Sequence, residues 1–151
     1  MEPIHILMAE DNEGDIMLTK DAFANSKILV KLSIVKDGRQ AIDFLTGQAQ
    51  YAGVALPDLV MLDINLPKKN GHEVLKFIKE NDKLKHIPVM MLTTSSFEKD
   101  ITMSYQNHVN CYIVKPVEVD AFLAVITEIE SFWISIVKLP FKTAYDDKKQ
   151  P

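Results

Sequence analysis

Apolar and polar positions alternate along the chain in blocks that predict strands and helices in turn. Five short runs are rich in β-branched and other apolar residues and are bounded by polar or turn residues, which is typical of strands. Several of these runs are almost continuously hydrophobic, as expected for parallel strands that helices cover on both faces. The predicted strands are 4–9, 31–35, 59–62, 89–92 and 111–114.

The segments between these runs carry apolar residues at helical spacing. Segment 16–23 is the first, with Leu18, Ala22 and Phe23 on one face and Ile16 at its edge. The fourth helical segment is the most weakly patterned. The remaining predicted helices open after Asp37-Gly38 and cover 71–79, 98–108 and 118–137.

Strand and helix therefore alternate along the chain, which predicts right-handed βαβ crossovers and a parallel sheet with helices on both faces. The fold class is a doubly wound α/β domain over residues 1–137. A tail over 138–151 loses the periodicity and contains Pro140 and Pro151, so we expect it to be frayed or extended. In such folds a ligand site forms beyond the carboxyl ends of the strands.

Composition narrows the classes of partner. The 151 residues, 47% hydrophobic and 25% charged, suit one globular domain. A formal net charge of −4, from 17 basic and 21 acidic residues, argues against nucleic acid and anionic membranes as partners. No apolar stretch approaches the ~20 residues that span a bilayer, and the first residues lack a signal pattern, so we expect a cytoplasmic protein.

Polar side chains follow four of the predicted strands directly. Glu10 and Asp11 follow the first strand, Asp63 the third, Thr93 the fourth and Lys115 the fifth. The carboxyl ends of parallel strands meet at one edge of the sheet, so these side chains are expected to converge. Three adjacent carboxylates repel one another unless a cation lies among them, and their oxygen ligands favour Mg²⁺.

This set of residues matches the needs of phosphoryl transfer. A carboxylate such as Asp63 can attack phosphorus and form an acyl phosphate, and the transition state spreads negative charge over three oxygens. Mg²⁺ could stabilise the charge on one of them, the Lys115 ammonium that on a second, and the Thr93 hydroxyl or nearby backbone N–H groups that on the third. Read singly, Glu10-Asp11 and Thr93 could be helix caps, Asp63 a turn residue and Lys115 a surface cation. Their joint placement favours chemistry.

The sequence resembles the receiver domain of two-component response regulators over about residues 4–137. The resemblance implies a five-stranded sheet of order 2-1-3-4-5 with five helices. It also implies a signalling protein that accepts a phosphoryl group from a sensor histidine kinase and catalyses only its own phosphorylation and dephosphorylation. The motifs that carry it are 8–12, 59–67, Gly71, 92–94 and 112–116, in that order.

The resemblance implies a role for each motif residue. Asp63 would accept the phosphoryl group, and Lys115 would pair with it. Thr93 would move toward the phosphoryl group, and Tyr112 would swing into the space that Thr93 vacates. The Mg²⁺ ligands would be Glu10, Asp11, Asp63 and the backbone carbonyl of Asn65.

A narrower similarity points to the kinase partner. Segments 63–69, 92–95, 108–113 and 132–133 resemble the small regulators that pair with cyanobacterial phytochrome-type histidine kinases. Two other classes stay open. An aspartyl-phosphate phosphatase would need an acid-base aspartate at position 65, where the chain has asparagine, and a degenerate receiver would serve only as a protein-binding scaffold.

The last predicted helix carries more apolar residues than one buried stripe can absorb. Because the receiver takes up almost the whole chain, we expect the output to be a binding event. The excess predicts a homodimer through Phe132, Trp133, Ile136 and Val137. The alternative is that the tail folds back over these residues. The four histidines lie on separate elements and are expected to be structural or solvated.

Overall fold

The computed structural model of the protein describes residues 3–26 and 28–132. Its sheet has five parallel strands in the order β2-β1-β3-β4-β5, which confirms the predicted architecture. The strands are β1 (Ile4–Ala9), β2 (Val30–Val35), β3 (Leu59–Leu62), β4 (Val89–Thr93) and β5 (Cys111–Val114). The helices are α1 (Glu13–Ala24), α2 (Gly38–Thr46), α3 (Gly71–Glu80), α4 (Glu98–Gln106) and α5 (Val119–Ile129), with a 3₁₀ turn at Ala49–Tyr51.

The sheet separates two hydrophobic layers because successive strand residues point to opposite faces. In β1, Leu7 joins the layer that α2 and α3 cover, whereas Ile6 joins the layer under α1 and α5. All four residues of β3 are buried, as its continuous apolar pattern predicts for a central parallel strand. A one-residue slip of a strand would move its side chains to the opposite layer, so the two layers fix the register of the strands.

Two helices bury their side chains differently from the sequence prediction. In α1, Ile16 and Thr19 are fully buried, although Ile16 was expected at the edge of the apolar face. The Thr19 hydroxyl can be buried because it donates to the backbone carbonyl of Asp15 at 2.7 Å. In α4, the buried residue is Ser104, while Tyr105 is half exposed.

The end of the chain lies partly outside the described residues. Helix α5 begins one residue later than predicted and ends at Ile129. Residues 133–137 of the predicted helix and the whole predicted tail, 138–151, lie outside the described residues. Among the described residues, no helix has the length and apolarity needed to cross a membrane.

Candidate functional site

Three carboxylates converge at the carboxyl edge of the sheet. Strands β1 and β3 are parallel neighbours that pair Ala9 with Leu62, so the residues that follow them lie side by side. One carboxylate oxygen from each of Glu10, Asp11 and Asp63 lies within 4.8 Å of the others. Glu10 and Asp63 are buried and Asp11 is exposed, so the cluster opens to solvent on one side.

Lys115 reaches this cluster from the end of β5. Its ammonium lies 3.1 Å from Asp63 Oδ2 and donates a hydrogen bond to Glu10 Oε1. A third carboxylate, that of Asp15 on α1, lies 3.0 Å from the same nitrogen. The lysine backbone N–H donates to the Thr93 carbonyl at 2.7 Å, so β4 holds the lysine in place. The structure therefore brings the predicted acids and lysine together and adds Asp15, which sequence reasoning missed.

The alternative readings of these residues as helix caps do not hold. The cap of α1 is Asn12, whose side-chain oxygen accepts from the Asp15 backbone N–H at 2.9 Å. Helix α4 is preceded by Phe97, four residues after Thr93. Glu10, Asp11 and Thr93 are consequently left to face the site and not a helix end.

The charges of the cluster shift one another's titration. Burial raises the pKa of Glu10 to about 8, and the adjacent Asp63 carboxylate adds to the shift. Burial would also raise the pKa of Asp63, but hydrogen bonds with Glu10 and Thr93 and the charge of Lys115 hold it below its usual value. Burial would lower the pKa of Lys115, but Glu10 and Asp63 hold it above its usual value. Asp63 is thus ionised at neutral pH.

The donor set fits a divalent cation. Glu10 Oε2 is buried and has no hydrogen-bond partner among the residues that the structure describes. A buried carboxylate oxygen without a partner is costly, and a hard cation with oxygen ligands would satisfy it. The backbone N–H of Asn65 donates to Asp63 Oδ1 at 3.3 Å, which places the loop after β3 beside the same carboxylate.

The predicted switch residues are connected through Ser95. Thr93 is fully buried, and its hydroxyl oxygen accepts from the Ser95 backbone N–H at 3.4 Å. The half-buried Tyr112 donates from its hydroxyl to the Ser95 carbonyl at 2.8 Å. The backbone of Ser95 therefore links the residue beside Asp63 to the tyrosine expected to move.

A second polar network extends from this loop and was not predicted. The Ser95 hydroxyl donates to Asp100 Oδ2 at 2.5 Å, and Asp100 Oδ1 lies 2.9 Å from His72 Nε2. His72 is on α3 and Asp100 on α4, so the pair ties two helices together. We expected His72 to be structural or solvated, and it is structural with a specific acidic partner.

Of the four predicted interface residues, the structure describes only Phe132. Its side chain is 52% exposed. With Ile113, Val125 and Ile129 it borders an apolar groove of about 430 Å³ between β5 and α5. The other three, Trp133, Ile136 and Val137, lie outside the described residues.

Comparison with known proteins places the chain among signalling proteins. The family model for the response regulator receiver domain matches residues 6–127. Response regulator Rcp1 of Synechocystis sp. is 44% identical over 138 residues, which cover 91% of this chain and 94% of the relative.

Solved structures of response regulators have the same fold as this chain. The phosphorylated cyanobacterial phytochrome response regulator RcpA superposes with a TM-score of 0.90 at 44% identity, covering 93% of this chain and all of that one. The Mn²⁺-bound form of response regulator Rcp1 superposes with a TM-score of 0.89 at 44% identity, covering 92% of this chain and all of that one.

Proposed function

This chain belongs to the response regulator receiver domain family, and we propose that Asp63 is the carboxylate that accepts its phosphoryl group. The observation that carries the proposal is the contact of 3.1 Å between Lys115 Nζ and Asp63 Oδ2, inside a cluster of carboxylates. One Asp63 oxygen would attack the phosphorus of a phosphohistidine or small acyl phosphate. The bond from phosphorus to the donor's nitrogen or oxygen would break. A phosphohistidine would leave as imidazole, with a proton on the released nitrogen, and an acyl phosphate would leave as its carboxylate.

Lys115 and Thr93 would stabilise the charge that develops during this transfer. Both are buried next to Asp63, so their interactions with the phosphoryl oxygens are weakly screened by water. When a phosphoryl group occupies Asp63, Thr93 would shift toward it and draw on the backbone of Ser95. Because Tyr112 donates to the Ser95 carbonyl, this movement would release or reorient the tyrosine and signal the phosphorylated state.

A divalent metal would share the site, and we propose that it is Mg²⁺. Glu10, Asp11 and Asp63 would hold it together with the backbone carbonyl of Asn65, and the bound ion would neutralise phosphoryl oxygen charge. The Mn²⁺-bound form of a 44% identical regulator supports the choice of a divalent ion. The clustered carboxylate oxygens are the ligands that Mg²⁺ prefers.

The two competing classes fit the site less well. An aspartyl-phosphate phosphatase would need a second acid-base aspartate at position 65, and Asn65 occupies it. A degenerate receiver would lack part of the site, whereas Glu10, Asp63 and Lys115 are all in contact here. The site therefore favours an active phosphoacceptor that is not a general hydrolase.

The partner would be a sensor histidine kinase of the phytochrome type, in the cytoplasm. The similarity to a cyanobacterial phytochrome response regulator over 93% of the chain supports this choice. Incubation with a phosphorylated phytochrome-type kinase should transfer the label to this protein faster than incubation with an unrelated histidine kinase. Equal rates from both kinases would refute the partner assignment.

We also propose that the protein forms a homodimer through Phe132, Trp133, Ile136 and Val137. The exposure of Phe132 supports it, because a half-exposed phenylalanine beside an apolar groove is a typical contact residue. Analytical ultracentrifugation over a concentration series would test it, and Phe132→Asp should shift the equilibrium toward monomer. A monomer at every concentration would end the dimer proposal.

Phosphoacceptance is tested with a small acyl phosphate. Intact-mass measurement after incubation with Mg²⁺ and acetyl phosphate should show one added phosphoryl group in the wild type and none in Asp63→Asn. Many rapid turnovers of a generic phosphate ester would favour the phosphatase class instead. No mass gain in the wild type would favour the scaffold class.

A further inference from the structure

Among the described residues, Asp15 is the one hydrogen-bond partner of the Lys115 side chain that lies outside the predicted metal and phosphoryl ligands. Its carboxylate is 3.0 Å from the lysine nitrogen, and its side chain is 22% exposed while that of Lys115 is 3% exposed. It comes from α1, a hundred residues away from the lysine in sequence. The contact is therefore a specific tertiary interaction that brings a third carboxylate to one ammonium group.

The Asp15 carboxylate contacts Lys115 instead of the backbone N–H of the residue that caps its own helix. Helices α1 and α3 both begin with an asparagine cap and carry an acid at the third helical position. In α3, Glu73 returns to the backbone N–H of Asn70 and closes a capping box. In α1, the Asn12 side chain accepts from the Asp15 backbone N–H, but the Asp15 carboxylate lies against Lys115.

The other two partners of Lys115 have further duties in the proposed function. Glu10 and Asp63 belong to the cluster that could hold a metal ion, and Asp15 does not. A carboxylate that coordinates a divalent cation attracts a neighbouring ammonium less strongly, because the cation offsets its charge and repels the lysine. Asp15 is outside this cluster, so a bound cation would not offset its attraction for the lysine in the same way. It is thus the partner best able to retain the lysine in the metal-loaded protein.

We propose that Asp15 is a positioning residue for phosphoryl transfer, which holds the Lys115 ammonium beside Asp63 while Glu10 is engaged by the metal. The inference rests on the proposed function of Asp63. Asp15 does not touch the reacting atoms and acts through the lysine. Fixing a charged group in its reacting geometry before the reaction is a large part of such catalysis.

The first test measures the chemical reactivity of the Lys115 amine. The protein is labelled with a trace of acetic anhydride, with and without Mg²⁺, and the acylation of each lysine is read by peptide mass spectrometry. In Asp15→Ala with Mg²⁺, Lys115 should react faster than in the wild type by roughly tenfold, because the ammonium loses a charged hydrogen bond that holds it in the site. Asp15→Asn keeps the size and one acceptor oxygen and should fall between the two.

The matched control is Asp21→Ala, which removes an exposed acid from the same helix. It should leave the reactivity of Lys115 unchanged. If Asp15 only stabilised α1, Asp15→Ala would lower the urea midpoint without changing the relative reactivity of Lys115. Equal Lys115 reactivity in Asp15→Ala and Asp21→Ala would therefore overturn the proposal.

The second test separates this inference from the proposed function. At saturating acetyl phosphate and Mg²⁺, the rate of mass gain in Asp15→Ala should fall by roughly tenfold, as expected when one charged hydrogen bond is lost. The donor concentration at half-maximal rate should change little. A wild type that gains no phosphoryl group refutes the proposed function, whereas a phosphorylated wild type with an equally fast Asp15→Ala refutes only the role of Asp15.

Discussion

Replacing Lys115 with methionine should destabilise the metal-free protein more than any surface charge replacement. Methionine keeps the length of the side chain but removes the only ammonium that contacts the carboxylates of Glu10, Asp15 and Asp63 in the part of the chain that the structure describes. At an effective dielectric constant of about 20, one unit charge pair at the 3.1 Å distance to Asp63 attracts by about 5 kcal/mol before desolvation is counted.

The net loss is expected at the lower end of the range for broken buried ion pairs. Removing one partner of such a pair costs about 3–5 kcal/mol, because the remaining charge is left buried. Two features reduce the cost here. Asp15 is partly exposed, and Glu10, with a pKa of about 8, can stay protonated near neutral pH. We therefore expect Lys115→Met to lower the free energy of unfolding by about 3 kcal/mol at pH 7.

Urea denaturation in EDTA and in Mg²⁺ measures this loss. The Mg²⁺ sample should recover part of it, because the cation supplies the missing positive charge and binds only the folded state. Lys68→Met is the control, since Lys68 is 67% exposed and 3.7 Å from Asp37, and it should cost less than about 1 kcal/mol. A Lys115→Met loss below about 1 kcal/mol in EDTA, or one unaffected by Mg²⁺, would refute this electrostatic reasoning.

Three further predictions concern the same region. The pKa of Glu10 is about 8 in the folded protein, against 4.5 when unfolded. The free energy of unfolding of the metal-free protein should therefore fall as the pH rises between these two values. Urea midpoints should show this slope in the wild type and not in Glu10→Gln. Gly71→Ala would place a Cβ 2.3 Å from the Asp63 carbonyl oxygen and should cost about 1–3 kcal/mol in urea unfolding; an unchanged midpoint would contradict the close packing. Asp100→Ala leaves His72 without its acid and should cost about 1–2 kcal/mol at pH 7. Because hydrogen bonding and His72 lower the pKa of Asp100, this difference should shrink below about pH 4, and a pH-independent difference would contradict it.

The sequence best predicted the location of side chains that directly follow a strand, because strand order and strand ends determine where they lie. Hydrophobic runs located all five strands, and parallel pairing then required Glu10 and Asp63 to be neighbours. Lys115 follows the edge strand β5 and still reaches the acids because its long side chain extends along the carboxyl edge. These relations depend on strand order. The alternation of strands and helices predicts a parallel sheet, but the order 2-1-3-4-5 was implied by the resemblance to receiver domains.

Contacts that depend on the rotation of a helix were not predictable in the same way. On α1, apolar spacing correctly placed Leu18, Ala22 and Phe23 against the core. It gave no sign that the polar Thr19 is also buried or that Asp15 approaches Lys115. The pair of His72 and Asp100 joins two different helices, and neither residue has a motif that indicates a partner. Such polar contacts arise from tertiary packing, which local periodicity does not report.

We expect the phosphoryl group to be carried by the carboxylate of Asp63. Phosphorylated protein can be treated with borohydride, which reduces an aspartyl phosphate to homoserine, and the peptides can then be sequenced by mass spectrometry. Homoserine should be found at position 63 in the wild type and nowhere in Asp63→Asn. Homoserine at Asp11 or another aspartate, hydroxynorvaline (the product of a glutamyl phosphate) at Glu10 or another glutamate, or a stable phosphoryl group on a hydroxyl side chain would contradict this expectation.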